Sequence, residues 1–350
     1  MCSMTRLDKT PIALVLLTLG LVGCRGQSAS NSQPAPLSTL RLGFFPNLTH
    51  AVPIVGLAHG DFARALGPIA IDAKPFNAGP EAMEALFAGA LDACYVGPAP
   101  AISGYLRSHG EGLVIVAGAG ANGAGLVVRK DLLIAKPDDL HGKKLASPQL
   151  GNTQDIALRT YLAALGMKTK EHGGDVQVMP IANADILALM QRKELDGAWV
   201  PEPWLSRLID EANAQLFVDE RDRWPEHEFP ITVLVVTKKL ADEHPNVVRQ
   251  LVQANQATID WIHGHDAEAQ TVVNDGLFKW AKKKLPPNVS AEAWQRVKLT
   301  SALSDAALQK QLVDGRALGF LPAGDIKGLL DTRFAAPAPA TTTTTTAAPP

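Results

Sequence analysis

A short stretch of this chain occurs twice, and the repeat limits the folds that the chain can adopt. Leu91–Pro98 reads Leu-Asp-Ala-Cys-Tyr-Val-Gly-Pro, and Leu195–Glu202 reads Leu-Asp-Gly-Ala-Trp-Val-Pro-Glu. Each copy follows a short amphipathic helical pattern that begins near an asparagine, Asn77 or Asn183. Two copies of one helix-and-strand unit predict two structurally similar halves.

The segments around the repeat alternate short apolar runs with helical periodicity. The pattern predicts strands at Leu40–Phe45, Ile69–Lys74 and Leu91–Val96, separated by helices at Val52–Leu66 and Pro80–Ala88. Such alternation is typical of a mostly parallel sheet covered by helices. The predicted fold class is therefore α/β. Two lobes of like build are the economical interpretation, and one continuous duplicated sheet is the alternative.

The lobes are expected at residues 39–127 plus 232–334 and at 128–231. The chain would then cross between them twice, near the strand-like runs 126–129 and 231–236. In open α/β sheets, ligands bind beyond the carboxyl ends of the strands, where helices begin. Two facing lobes predict a cleft that closes on a ligand by hinge motion.

The two ends of the chain predict export and a membrane anchor. Residues 1–23 have basic residues followed by an apolar run too short to span a bilayer, as in a signal peptide. The run ends in Leu-Val-Gly before Cys24, which resembles a bacterial lipobox, whereas an incidental cysteine after an ordinary signal peptide is the alternative. We expect lipidated Cys24 to head a flexible tether at 24–38. The Ala/Pro/Thr segment 335–350 predicts a disordered tail.

Several strand ends carry residues suited to binding an anion. Gly97 and Pro98 end a strand and open a helix, and Asn152 and Thr153 open another, so free N–H groups would face the cleft. Helix capping explains the second pair equally well. The expected ligand-binding residues are Asn47, Thr49, His50, Asn77, Gly97, Pro98, Asn122, Asn152, Thr153, Glu202 and Trp204. No Arg or Lys occurs in these motifs, which favours a weakly basic monoanion held by neutral donors.

Two members of this set carry particular alternatives. Glu202 is the one carboxylate at a predicted strand end facing the cleft, and it either accepts from an amino or hydroxyl group of the ligand or complements a helix N-terminus. Trp204 supplies either an apolar wall or a core side chain. The glycines around Asn122 predict a tight turn beside the hinge.

Four stretches resemble a known family: Arg41–Ala51, Phe76–Ala82, Gln149–Asp155 and Val200–Trp204. They are similar to the nitrate/sulfonate/taurine branch of ABC-transporter substrate-binding proteins, most closely to those for aliphatic sulfonates, over about residues 39–320. The resemblance implies the type II periplasmic-binding-protein fold, a permease and its ATPase as partners, and a place in the cell envelope. An aliphatic sulfonate is the expected ligand. Taurine, nitrate, bicarbonate or a pyrimidine is the alternative.

The sequence gives little support for other classes of function. Near-balanced charge, 33 Lys+Arg against 35 Asp+Glu, gives no reason to expect nucleic acid as a partner. The glycine run at 118–123 precedes a strand-like segment and not a helix, unlike a dinucleotide fingerprint. We expect no metal, no cofactor and no catalysis, with Cys94 as a buried apolar residue. A secreted α/β enzyme on the same fold is the outside alternative.

Overall fold

A computed structural model of the chain describes residues 35–334. The expected signal peptide, Cys24, most of the tether and the tail at 335–350 lie outside the described residues. The strands are β1 (Thr39–Phe44), β2 (Ala70–Pro75), β3 (Ala93–Val96), β4 (Leu113–Asn122), β5 (Ala124–Arg129), β6 (Lys144–Ser147), β7 (Gln177–Pro180), β8 (Gly197–Pro201), β9 (Ala214–Asp219), β10 (Pro230–Thr237) and β11 (Val297–Lys298).

Helices cover both faces of the strands. They are α1 (Ala51–His59), α2 (Asp61–Leu66), α3 (Gly79–Phe87), α4 (Pro98–Arg107), α5 (Thr153–Ala164), α6 (Asn183–Gln191), α7 (Trp204–Glu211), α8 (Lys238–Glu243), α9 (Pro245–Gly264), α10 (Asp266–Ala281), α11 (Pro287–Arg296) and α12 (Asp305–Ala317). The single helix expected at 52–66 is divided into α1 and α2, because Gly60 adopts a left-handed conformation with φ of 82°.

The strands form two sheets of matching order. The first runs β11-β4-β10-β3-β1-β2, and the second runs β7-β6-β8-β5-β9. In the first sheet, β1 is parallel to β2 and β3, while β10 is antiparallel between β3 and β4. In the second, β6 is parallel to β7 and β8, while β5 is antiparallel between β8 and β9. Two separate sheets confirm the two-lobed α/β prediction.

The repeated Leu-Asp pair has the same role in both sheets. Asp92 accepts a hydrogen bond from the backbone N–H of Arg41 in β1 at 2.9 Å. Asp196 accepts one from the backbone N–H of Lys144 in β6 at 2.8 Å. Asp92 therefore aligns β3 with β1, and Asp196 aligns β8 with β6. The leucine that precedes each aspartate is buried. The sequence repeat thus encodes strand registration.

The chain crosses between the sheets at Gly123. Asn122 and Gly123 have φ angles of 63° and 77°, and they join β4 of the first sheet directly to β5 of the second. The crossing was expected near 126–129, a run that itself lies inside β5 and pairs with β8 and β9. The run 231–236 lies inside β10 of the first sheet, so we propose the return crossing at 220–229. Gly118 and Gly120 lie within β4 and not in the expected turn.

Asn122 fastens these two crossings to each other. Its backbone N–H donates to the carbonyl of Phe229 at 3.0 Å, and its side-chain oxygen accepts from the N–H of Phe229 at 3.2 Å. Its side-chain amide also donates to the carbonyl of His227 at 3.3 Å. Its backbone N–H and both polar atoms of its side chain are thereby used within the hinge.

The first sheet is buried on both faces. Side chains such as Leu42 and Phe44 pack on one face with α1, α9 and α10, and Val96 and Ile115 pack on the other with α3, α4 and α12. Cys94 belongs to this core, and its burial raises the pKa of the thiol well above its ordinary value. Within residues 35–334, no helix is both long and apolar enough to span a bilayer.

We expect Asp92→Ala and Asp196→Ala each to destabilise the protein. The loss should be about 1 kcal/mol at Asp196 and about 2 kcal/mol at Asp92, which also binds the guanidinium of Arg41. Urea unfolding measures both, with Asp72→Ala as the control because Asp72 is exposed and its ion pair with Lys74 lies at the surface. Equal effects at all three positions would contradict the registration role.

Candidate functional site

The carboxyl ends of β1, β3, β6 and β8 meet around a small cavity between the sheets. The cavity, here called the deep seat, has a volume of about 30 Å³. It is lined by Phe45, Asn47, Thr49, His50, Asn77, Ala78, Gly79, Gly97, Pro100, Pro148, Asn152, Thr153, Gln154, Asn183, Pro201 and Ile231. None of these described lining residues is Arg, Lys, Asp or Glu. The seat is therefore polar without a formal counter-charge.

Four of the described helices begin at the deep seat. From the first lobe, α3 begins at Gly79 and α4 follows Gly97, and from the second, α5 follows Asn152 and α6 begins at Asn183. The first backbone N–H groups of a helix have no acceptor within it, and each N-terminus carries about half a positive charge. The repeat thus brings matching helix ends to one point from two sides.

Thr153 carries the clearest unmet requirement in the seat. Its side chain is only 2% exposed, and its hydroxyl oxygen has no hydrogen-bond partner among the described residues. Gly97 approaches it from the other lobe, and a Cβ at position 97 would lie 2.5 Å from this oxygen. Only glycine permits that approach. A buried hydroxyl without a protein partner is available to bond to a water molecule or to a bound solute.

His50 faces the seat as a neutral donor. Its Nδ1 accepts the backbone N–H of Phe45 at 3.3 Å, which assigns the ring proton to Nε2. Complete burial lowers the pKa of His50 to about 3, so the ring stays neutral under ordinary conditions. Neighbouring Thr49 is fixed through its carbonyl, which accepts from the hydroxyl of Thr232 in β10 at 2.9 Å.

Asn152 caps α5, as one of its two interpretations predicts. Its side-chain oxygen accepts the N–H of Asp155 at 2.8 Å. Asp155 is fully buried beneath the loop, where it accepts from Ser147 at 2.6 Å and from the N–H of Gly151 at 2.9 Å. Arg159 completes this network at 3.1 Å. The sequence analysis missed Asp155, although a carboxylate in the first turn of a helix is a recognisable sign of such a role.

The seat widens into an outer chamber of about 650 Å³. Its walls include Trp204, as one of the two interpretations of that residue predicts, and also Arg207 and Lys283, which the sequence analysis missed. Trp204 donates through Nε1 to the side-chain oxygen of Asn47 at 3.1 Å and so joins the two lobes. Arg207 lies over the Trp204 ring and is paired with Glu211.

Three expected ligand residues line neither cavity: Pro98, Asn122 and Glu202. Pro98 lies in the first turn of α4, where the absence of an N–H costs no helical hydrogen bond. Asn122 is used in the hinge, as described above. Glu202 is fully buried and accepts from the N–H and the hydroxyl of Ser206 at 3.1 and 2.9 Å.

Glu202 is instead part of a contact between the lobes. Arg296 of α11 donates to Glu202 at 3.2 Å and to the hydroxyl of Ser206 at 2.7 Å. Burial raises the pKa of Glu202 to about 7, while the bonds from Ser206 and Arg296 oppose that rise. The carboxylate therefore bonds to its own helix and to the opposite lobe, and it lines neither cavity.

Comparisons with known proteins agree with this arrangement. The model of the NMT1-like family matches residues 33–274. A taurine-binding periplasmic protein of Escherichia coli (strain K12) is 27% identical over 236 residues, which is 67% of either chain. The alkanesulfonate-binding protein SsuA of Xanthomonas axonopodis pv. citri, bound to MOPS, superposes with a TM-score of 0.69 at 19% identity, covering 83% of this chain and 96% of that one. The nitrate-binding protein NrtA of Synechocystis PCC 6803 gives 0.69 at 18% identity, over 82% and 83%.

We expect the stability cost of Glu202 to depend on pH. In the unfolded chain its carboxyl ionises near 4.5, but in the folded protein near 7, so the folded state retains a proton between these values. Stability from this group is present below pH 4.5 and is lost as pH rises through 7. The free energy of unfolding of wild type, relative to Glu202→Gln, should fall by roughly 3 kcal/mol over that window.

Urea unfolding of both proteins at pH 4.5 and pH 7.5 measures this difference. The low pKa of His50 is common to both proteins, so its contribution cancels. Glu292→Gln is the matched control, because Glu292 also pairs with Arg296 but is half-exposed. Parallel pH dependence of wild type and Glu202→Gln would overturn the prediction.

Proposed function

This chain belongs to the NMT1-like family, in the nitrate/sulfonate/taurine branch of ABC-importer substrate-binding proteins, and we propose that its solute is a small oxyanion of the sulfonate class, for which the aliphatic sulfonate expected from the sequence is the first compound to test. Its relatives are binding proteins and not enzymes. On this proposal, the two lobes close on the solute outside the cytoplasm, and the closed form is presented to a permease and its ATPase. Ligand binding shifts the population from open to closed lobes.

The observation that carries the proposal is the unpartnered hydroxyl of Thr153 at the meeting point of four helix N-termini. Oxygen atoms of an anion would accept from this hydroxyl, from Nε2 of His50 and from the free N–H groups of α5. A sulfonate suits this set, because it is the anion of a strong acid. It therefore needs no lysine or arginine to remain ionised. The small volume of the seat favours a compact head group over a larger one.

The placement of Glu202 bears on the choice among the alternatives. An amine-bearing sulfonate such as taurine gains most if a carboxylate in the cleft accepts from its amino group. Glu202 is committed to Ser206 and Arg296, so that advantage is missing at this position. Nitrate and bicarbonate would fill the seat alone and leave the outer chamber to water. We therefore favour a sulfonate without an amino group.

The membrane anchor is a further part of the proposal. The Leu-Val-Gly-Cys sequence ending at Cys24 supports lipidation, and two or more acyl chains would hold the protein stably at a membrane. Wild-type protein should incorporate labelled palmitate and fractionate with membranes, and Cys24→Ser should do neither. Unlabelled wild-type protein in the soluble fraction would favour an ordinary signal peptide instead.

The binding role is tested with Thr153→Val, which removes the hydroxyl at nearly constant volume. We expect its affinity for methanesulfonate, measured by calorimetry, to fall about 10- to 100-fold, since a hydrogen bond to a charged group contributes about 1.5–3 kcal/mol. Its melting temperature without ligand should not fall, because the hydroxyl has no partner to lose among the described residues.

Thr153→Ser is the matched control for that experiment. It keeps the hydroxyl, so its affinity should stay within a few-fold of wild type. Taurine, nitrate, bicarbonate and a thiamin-type pyrimidine are titrated beside methanesulfonate. Binding of one of these with no response to any sulfonate would replace the proposed ligand, and unchanged sulfonate affinity in Thr153→Val would remove Thr153 from the site.

A further inference from the structure

The deep seat and the outer chamber are continuous. They share six lining residues: Phe45, Asn47, Asn77, Ala78, Pro148 and Asn183. The seat measures about 30 Å³ and the chamber about 650 Å³. A chamber of this size falls in the range that encloses ligands much larger than an inorganic anion. A solute whose head occupies the seat therefore extends its remaining atoms into the chamber.

Aromatic side chains are concentrated in this chamber. The whole chain contains only 10 Phe and 6 Trp, and two of each line it. Phe45 follows β1, Phe76 follows β2, Trp204 begins α7 and Trp280 lies near the end of α10. Four separate elements from both lobes thus contribute one ring each. Each ring packs against a hydrophobic core on one side, and three of the four keep part of their surface exposed on the chamber wall.

The chamber rings are held in place before any ligand arrives. Trp204 is fixed by its bond to Asn47 and by the guanidinium of Arg207, 4.7 Å from the ring centre. Trp280 packs edge-on against Phe44, with ring centres 5.2 Å apart. Five prolines complete much of the wall: Pro46, Pro75, Pro148, Pro180 and Pro203. Rigid walls of this kind favour a rigid ligand over a flexible chain, since less freedom is lost on binding.

The charges in the chamber do not point to a second polar group on the solute near the rings. Arg207 is paired with Glu211 at 2.6 and 3.0 Å. Glu81 accepts from the backbone N–H of Asn77 at 3.2 Å. Lys283 lies on the wall near the end of α10 and is exposed to solvent. The ring-lined part of the chamber therefore suits an uncharged body.

We propose that the cognate solute is a ring-bearing oxyanion, of the arenesulfonate type, with its anionic head in the deep seat and its aromatic ring in the outer chamber. This inference rests on the proposed function, because it assumes that the seat holds the oxyanion. It differs from the aliphatic sulfonate expected from the sequence, because the body of the solute is a planar ring and not an open alkyl chain. Ring-to-ring contacts in offset or edge-on geometry supply the selectivity.

Calorimetric titration of the purified protein with methanesulfonate, hexane-1-sulfonate, benzenesulfonate and naphthalene-2-sulfonate tests the proposal. Each buried carbon strengthens binding about four-fold. Benzenesulfonate should therefore bind at least 100-fold more tightly than methanesulfonate. It should also bind about ten-fold more tightly than hexane-1-sulfonate, which has the same number of carbons, because the ring adds aromatic contacts and loses fewer rotamers.

The outcomes separate the two proposals. If hexane-1-sulfonate binds as tightly as benzenesulfonate, or methanesulfonate binds as tightly as either, the ring-bearing class is wrong and the oxyanion function stands. If no sulfonate binds, the proposed ligand fails, and the ring-bearing sulfonate fails with it. Both results are read from one set of titrations.

Two variants connect the preference to the chamber. Trp280→Leu and Phe76→Leu should each weaken benzenesulfonate binding about ten-fold more than they weaken methanesulfonate binding. The second variant provides the test if the first fails to fold. Trp261→Leu is the control, because Trp261 is stacked between His59 and His265 and does not line the chamber. Equal losses for both ligands, or a ring preference kept in both variants, would overturn the assignment.

Discussion

The binding cleft depends on one electrostatic arrangement, the convergence of four helix N-termini on a cavity without a charged side chain. Half of the helices come from each lobe, so neither lobe forms the seat alone. Their aligned N–H groups repel one another across the gap unless an anion lies between them. A solute therefore completes the contact between lobes, and closure and recognition become the same physical event.

Direct hydrogen bonds between the lobes determine how much free energy the solute must add to hold the lobes together. Trp204 bonds to Asn47, Arg296 to Glu202, and Asn288 of α11 to Asp210 of α7. Asn47 lines the deep seat, whereas the other two bonds lie outside it, and all three join residues far apart in sequence. They hold the lobes in the arrangement described here, while the unsatisfied groups of the seat oppose it. Because these contributions oppose each other, a small solute would be able to shift the proposed equilibrium between open and closed lobes.

The sequence predicted the parts of the site that depend on local pattern. The repeated Leu-Asp pair indicated two like sheets, and strand ends followed by helices indicated Asn47, Thr49, His50, Gly97 and Thr153. Contacts between distant segments carried no such pattern. Glu202 meets Arg296 through a helix that packs from the other lobe, and Trp280 reaches the chamber from α10. Asn122 was expected in the cleft, but its amide is used by Phe229 across the hinge. These assignments require three-dimensional packing, which single-sequence periodicity does not contain.

β5 follows β4 of the first sheet in sequence but belongs to the second, and β10 follows β9 of the second sheet but belongs to the first. This strand order affects how the chain can fold during synthesis. β3 and β4 do not pair with each other; they pair with β10, which follows the whole second sheet in sequence. At about 5–20 residues per second, a ribosome delivers β10 on the order of ten seconds after β3. The first sheet therefore cannot close on the nascent chain, and the apolar strands stay available to a chaperone during that interval. Non-local pairing of this kind also slows folding. Because of this strand order, the first sheet stays open until its last central strand, β10, has been synthesised.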